Sequence, residues 1–225
     1  MPIPAQNKNA LIIFIKYPAK GSVKTRLAKS LGDEFAFYFY KSVVEKIVRD
    51  LSKFSGFAIY IFFTGCDSEK EIEKWLGSEF KYFKQSGDNL GEKMFNAFKE
   101  VFIVGNEKAV IIGTDIPDLT IDIINESFQS LSKNDIAVVK TKDGGYCLLG
   151  MKKLHKQLFE NIEWGTSTVF DSTINKCREQ NLKMHYLPQL MDIDCETDLL
   201  AWMKNGLESE LKNKVKRILG TAKIK

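Results

Sequence analysis

The sequence predicts an α/β fold built on a mostly parallel sheet with helices on both faces. Three observations predict it. Short β-branched or aromatic runs recur between segments of helical period, the second run is apolar almost throughout, and chemically active residues fall just after each run. A nearly continuous apolar run suits a strand buried on both faces, as in parallel sheets. With 225 residues, 44% of them hydrophobic, the chain can fill one large α/β core, and no linker or low-complexity tract divides residues 1–225.

The expected elements follow in order. Residues 11–16 form the first strand. Residues 33–54 carry Phe35, Phe39, Val43, Ile47 and Leu51 at helical spacing behind Asp33, an N-cap after Gly32. Within this helix the aromatic cluster at residues 35–40 reads as core packing with no cofactor role. Residues 57–64 are the second strand, 69–76 a short helix and 80–85 the third strand. Residues 89–104 place Leu90, Met94, Phe98 and Val101 on one stripe, closed by Gly105, and so predict a helix. A strand at 109–113 is broken by Thr114-Asp115-Ile116-Pro117, a helix follows at 121–131 and a strand at 136–141. The strand expected at 146–151 is antiparallel, because the turn at Gly144-Gly145 is too short for a crossover helix. Residues 166–181 read as a helix and 184–187 as extended. Residues 191–194 lead into a helical tail from near Glu196. Beyond Asn205 the tail is basic and amphipathic, predicting packing on the domain, with a dimer or membrane-surface contact as the alternative.

Charge and cysteine usage exclude several classes. The net charge of +4 is mild, and its excess sits at the two ends, residues 16–26 and 212–225. A nucleic-acid groove needs a basic face interleaved with stacking aromatics, so a local anion site fits better and no nucleic-acid partner is expected. The four cysteines form no C-x-x-C pair and have no zinc-like spacing with the two histidines. They read as thiols of a reducing compartment. The first apolar run, about six residues, is too short for a secretory core or a membrane span, so a cytoplasmic protein is expected. The oligomeric state is not legible.

Ligands of an open parallel sheet sit outside the carboxyl ends of its strands. From Lys16 at the end of the first strand, Lys16, Lys20, Lys24 and Arg26 lie around Gly21, four cations in eleven residues, and this segment reads either as a polyphosphate cradle or as a solvated basic loop. Gly21-Ser-Val-Lys24-Thr25 resembles the second half of a P-loop. The position five before Gly21 is Lys16 rather than glycine, however, which rejects a P-loop NTPase. Lys24 and Arg26 remain candidate phosphate donors. Gln85 and the 89–93 segment, with Leu90 and Gly91, are further nucleotide-side candidates. The 89–93 segment either aims backbone amides at an anion or is a plain capped helix start.

Asp115 emerges at a strand end where Pro117 turns the chain away, and Asp194 emerges from the last extended run. Hard divalent cations such as Mg²⁺ or Mn²⁺ need such oxygens, and magnesium commonly takes one or two carboxylates beside waters and substrate phosphates. The two aspartates are therefore expected to meet across one metal. Asp143-Gly144-Gly145-Tyr146 reads either as a hairpin turn or as a place where a ligand approaches backbone. Trp164 and Thr166, on a loop, are acceptor candidates unless the tryptophan is simply packed. Histidine is too scarce for a Ser-His-Asp or Cys-His arrangement.

Taken together, Lys16-x-Pro18, Gly21-x-Val23-Lys24-Thr25-Arg26-Leu27, Gln85 with Leu90-Gly91-Glu92-Lys93-Met94, Gly113-Thr114-Asp115-x-Pro117, Asp143-Gly-Gly-Tyr146 and Asp192-x-Asp194 occur in an order that resembles a family. This is the group of small bacterial glycosyltransferase-like proteins with the A-type (GT-A-like) nucleotide-diphospho-sugar transferase fold, some labelled arsenosugar-biosynthesis or selenodomain-associated transferases. The resemblance implies a three-layer Rossmann-like sheet, Asp115 and Asp194 as metal ligands, and Lys24 and Arg26 as phosphate binders. The chain departs from the family at Val139-Lys140, at Lys93 and at Cys195-Glu196-Thr197. The expected activity is metal-dependent sugar transfer from a nucleotide diphosphate sugar to a small acceptor, with Asp143 as general base. The alternatives are a nucleotidyltransferase that uses a nucleoside triphosphate and a small phosphorylated acceptor, and a nucleotide-binding protein without catalysis.

Overall fold

The computed structural model describes residues 8–205 and 208–222. Strand β1, Asn9–Lys16, is the centre of the sheet. Its side chains alternate between two apolar layers: Leu11, Ile13 and Ile15 enter one, and Ala10 and Ile12 the other. That double burial is why the run contains no polar residue between Ala10 and Ile15. Around it lie β2 (Ala58–Thr64), β3 (Lys81–Lys84), β4 (Lys108–Ile112), β5 (Ile136–Lys140), β6 (Tyr146–Met151) and β7 (Met184–Tyr186), in the order β3-β2-β1-β4-β6-β5-β7. Among the described strands only β6 runs antiparallel to its neighbours, β4 and β5. The start of β6 therefore lies at the same edge as the carboxyl ends of the parallel strands, and the 141–145 turn joins the ligand-facing edge.

Helices cover both faces. On one lie α1 (Thr25–Leu31), α2 (Asp33–Leu51), α3 (Glu69–Leu76), α5 (Ile121–Ser130), α7 (Glu196–Lys204) and α8 (Glu210–Ala222). On the other lie α4 (Leu90–Ile103), α6 (Val169–Glu179) and a short 3-10 turn at Lys156–Phe159. The three-layer α/β architecture is the one expected.

Several details differ from the sequence reading. α1 was not expected, because its seven residues follow directly on the basic loop and bury only Leu27. Residues 191–194 run without regular strand pairing into α7, just after an isolated parallel bridge between Thr141 and Leu190. The aromatic cluster of α2 is only partly core: Phe35, Phe39 and Tyr40 are buried, whereas Tyr38 is exposed. The tail packs back on the domain, since α8 lies on α2 and buries Leu211 and Val215. Lys212 is buried with it, its ammonium donating to the Asn205 carbonyl and standing 5.3 Å from the centre of the Trp202 ring. Residues 223–225 of the basic tail lie outside the described residues. No helix among those described is long and apolar enough to cross a membrane.

Candidate active site

A cleft of about 850 Å³ opens along the carboxyl edge of β1 and β4, bounded by the β5–β6 turn and the 164–167 loop. Its volume falls in the range of small-molecule ligand pockets. On its floor the Lys24 ammonium lies 2.6 Å from Asp115 Oδ1 and 2.9 Å from Asp194 Oδ1, with its side chain only 5% exposed. Arg26 reaches the other oxygen of Asp194 at 3.4 Å. Three segments distant in sequence thus meet at one nitrogen atom.

Local structure explains each placement. Lys24 stands at the N-cap of α1 with φ 47° and ψ 46°, a left-handed conformation that costs a non-glycine residue roughly 1–2 kcal/mol. Buried Val23 and Leu27 on either side anchor it. Asp115 follows β4 in a turn fastened by buried Ile116 and Leu119, while the Thr114 hydroxyl donates to the Phe14 carbonyl of β1. Asp194 is delivered by the start of α7, where the Asp198 carboxylate accepts from the backbone amides of Asp194 and Cys195. The Ile193 amide donates to the Asp115 carbonyl at 3.2 Å, which joins the two aspartate segments directly.

Burial by itself would lower the pKa of Lys24, but Asp115 and Asp194 outweigh it and hold the ammonium above the usual lysine value. Asp192 responds in the opposite sense: burial first, then the charges of Asp143 and Asp194, push its carboxyl up to about 6. Because that value lies above the ordinary carboxylate range, ionised Asp192 costs stability at neutral pH, and the cost shrinks as the pH falls below about 6 and is gone only near pH 3.8, where the unfolded chain protonates as well. Asp192→Asn is accordingly expected to melt higher than the unaltered protein at pH 7.5 in chelator, with the difference shrinking below pH about 6 and lost only near pH 3.8. Thermal unfolding across pH measures it, and a constant difference would show that Asp192 is not the titrating group.

Tyr40 of α2 is a functional position that the sequence reading assigned to packing. Its hydroxyl accepts from the Lys16 amide at 2.7 Å and is hydrogen-bonded to Thr114, so it fixes the ends of β1 and β4 directly beneath the aspartates. Burial pushes its pKa up to about 12. Nothing in the sequence distinguishes it from the neighbouring aromatics. Tyr40→Phe leaves the Lys16 amide without this acceptor, and urea unfolding should show about 1–2 kcal/mol lost with an unchanged m-value.

The remaining candidates divide. Lys16, Gln85, Leu90, Gly145, Tyr146, Trp164, Thr166 and Asp143 line the cleft. Lys16 is already engaged, since its ammonium donates to the Ser22 carbonyl at 2.7 Å and closes the β1–α1 loop. Gln85 is a pin as well: its amide nitrogen donates to the carbonyls of Ile15 and Phe62, at 3.2 and 3.0 Å, and so ties β3 to β1 and β2. The Tyr146 hydroxyl engages the Met94 sulfur and Thr173 instead of a ligand position, and burial raises its pKa.

Lys20, Gly21, Gly91 and Gly144 do not line the cleft. Lys20 pairs with Glu34 at 3.5 Å on the surface. Gly21 has φ +76°, and a Cβ there would lie against the Asp33 carboxylate at 3.8 Å. Gly91 is buried beneath the Trp164 indole, where a Cβ would stand 2.4 Å from Nε1. Gly144 seats the 164–167 loop in the same way, its own Cβ position lying 2.0 Å from the Ser167 carbonyl oxygen. The start of α4 is a capped helix: Asn89 accepts from the Glu92 amide, and Glu92 accepts from the Asp88 amide. The 143–146 segment is a hairpin turn held by Asp143 Oδ1, which accepts from the Thr141 hydroxyl and the Gly145 amide at 2.6 and 3.0 Å.

The family model described as an uncharacterized protein conserved in bacteria (DUF2064) matches residues 47–166, more than half of the chain. The chain belongs to the DUF2064 family. The matched stretch of this DUF2064 chain holds Asp115 and the 143–146 turn, whereas Lys24 and Asp194 lie outside it. A solved structure from Desulfovibrio desulfuricans G20, provisionally assigned as a nucleotide-diphospho-sugar transferase, is 28% identical, with 96% of this chain and 97% of that one covered and a TM-score of 0.91. The family resemblance read from the sequence is thereby borne out. Two more distant structures show the fold alone. They are a 4-diphosphocytidyl-2C-methyl-D-erythritol synthase from Anaerococcus prevotii (14% identity, 88% and 96% covered, TM-score 0.57) and the inositol-1-phosphate CTP transferase from T. maritima (16%, 94% and 97%, 0.54). None of the curated proteins matches the chain.

The donor set limits which metal the site suits. Among the described residues no three His, Cys, Asp or Glu side chains group to hold an ion. Asp115 and Asp194 offer two carboxylates that already share one cation, and both keep partial solvent exposure. Two hard oxygens beside open space fit a magnesium-like ion that completes its shell with water and phosphate, and do not fit an all-protein cage.

Proposed function

We propose that this DUF2064 protein transfers a sugar from a nucleotide diphosphate sugar to a small uncharged acceptor. The observation that carries the reading is the Lys24 ammonium held between Asp115 and Asp194 on the floor of the cleft. The provisional assignment of the 28%-identical relative supports it. Lys24 and Arg26 donate to the diphosphate of the donor and stabilise its charge as the bond to the anomeric carbon breaks. A divalent cation held by Asp115 and Asp194 would, when bound, neutralise part of the same leaving group.

Asp143 lines the same cleft, its carboxylate oriented by the Thr141 hydroxyl and the Gly145 amide, and accepts the proton of the attacking hydroxyl. Trp164 and Thr166 complete the acceptor side. The charges of that side favour sugar transfer over nucleotidyl transfer to a phosphorylated acceptor. The cations that line the cleft, Lys16, Lys24 and Arg26, come from the end of β1 and the segment after it, whereas Asp143 and Asp192 come from the β5–β6 turn and the segment before α7. Carboxylates there repel a phosphate and accept well from hydroxyls.

Purified protein incubated with a panel of nucleotide sugars, nucleoside triphosphates and Mg²⁺ or Mn²⁺ tests the proposal. Release of nucleoside diphosphate that depends on a polyol acceptor supports it. Pyrophosphate release from a triphosphate favours the nucleotidyltransferase reading. Nucleotide binding without turnover, persisting in Asp115→Asn, favours the non-catalytic one.

A further inference from the structure

We infer that Lys24 is the resident counter-ion of the Asp115–Asp194 pair, displaced when a diphosphate arrives, so that nucleotide and divalent cation bind as a coupled pair. This rests on the reading that the cleft takes a nucleotide diphosphate. Lys24 Nζ touches an oxygen of each carboxylate, at 2.6 and 2.9 Å, so a divalent cation held by these two residues would have to compete with the ammonium for them. Lys24 and the adjacent Arg26, which itself reaches Asp194, are the cations that face the two aspartates.

A dication entering alone would leave both basic groups without their partners in a recess where Lys24 is almost fully buried. A diphosphate removes the conflict. Its oxygens accept the lysine, whose long stem swings easily, and the freed carboxylates face the metal. The left-handed backbone at Lys24, anchored by Val23 and Leu27, keeps the stem rooted at the floor of the cleft while its head exchanges partners.

Linkage makes the effect reciprocal: the factor by which a nucleoside diphosphate tightens the metal is the factor by which the metal tightens the nucleotide. Loss of the free Mn²⁺ resonance signal measures metal binding without any turnover. The full-length protein, stripped with chelator, is titrated with Mn²⁺ alone and with UDP, GDP, CDP, ADP or dTDP, against protein-free controls containing the same nucleotide. The unaltered protein is expected to bind Mn²⁺ about tenfold or more tightly once its diphosphate is present. Lys24→Met, with Lys24→Gln as a second variant, should bind Mn²⁺ without nucleotide, gaining a similar factor. Equal Mn²⁺ affinity with and without a bound diphosphate in the unaltered protein overturns the inference whether or not the variants fold. So does a Lys24 variant that folds and gains no affinity. If none of the five diphosphates binds, with or without metal, the functional reading fails along with it.

Discussion

Asp115→Asn and Asp194→Asn should each lower turnover about 10²–10³-fold while leaving the fold intact, the range expected when one preorganised charge that acts on the leaving group is removed. The substitutions keep size and one acceptor oxygen, and Lys24 retains one carboxylate partner in either case. Their stability cost should be small, about 1 kcal/mol, because both side chains are partly exposed to water. The double variant should be little worse than either single one, since two groups that serve one ion act as a unit. Steady-state kinetics on the donor identified by the panel checks this. A loss under fivefold for either variant, in a protein that melts normally, would remove that residue from the chemistry.

Gly144→Ala is expected to be the most damaging single-methyl change near the site. The residue has φ +90°, and the added Cβ would stand 2.0 Å from the Ser167 carbonyl oxygen, a backbone atom that no rotamer change can move. The Phe170 amide also donates to the Gly144 carbonyl, so the turn and the start of α6 are fastened together. Left-handed strain and overpacking together amount to about 2–5 kcal/mol. For a chain of this length that corresponds to a fall in melting temperature of about 5–15 °C. Because Trp164 and Thr166 ride on the displaced segment, acceptor KM should rise as well. Melting within about 1 °C of the unaltered protein would mean that the two loops do not pack as described.

The strands were legible because their residues answer to one local rule. In a central parallel strand every side chain is buried, and residues 11–15, 58–63 and 109–112 contain almost nothing else. The antiparallel strand was equally readable, because the length of a turn limits what it can connect. What escaped the sequence was set by partners far away along the chain. Asp115 and Asp194 were expected to converge, but the group between them was expected to be a metal, not the Lys24 ammonium 170 residues from Asp194. The periodicity of Tyr40 is that of any core aromatic, and only its hydroxyl partners give it a role. Gly91 and Gly144 drew notice as glycines beside a ligand, whereas the close approach they permit is that of Trp164 and Ser167. Gln85 lines the cleft, and its bonds to two main-chain carbonyls follow from strand pairing that the sequence does not show.

Anomalous diffraction from a crystal soaked with Mn²⁺ and the tightest-binding nucleoside diphosphate bears on all of this at once. The account predicts a manganese peak between the Asp115 and Asp194 carboxylates, with Lys24 Nζ withdrawn from them onto a phosphate oxygen beside Arg26. A nucleotide seated elsewhere, or a diphosphate in the cleft with Lys24 still joined to both aspartates and no metal between them, would contradict it.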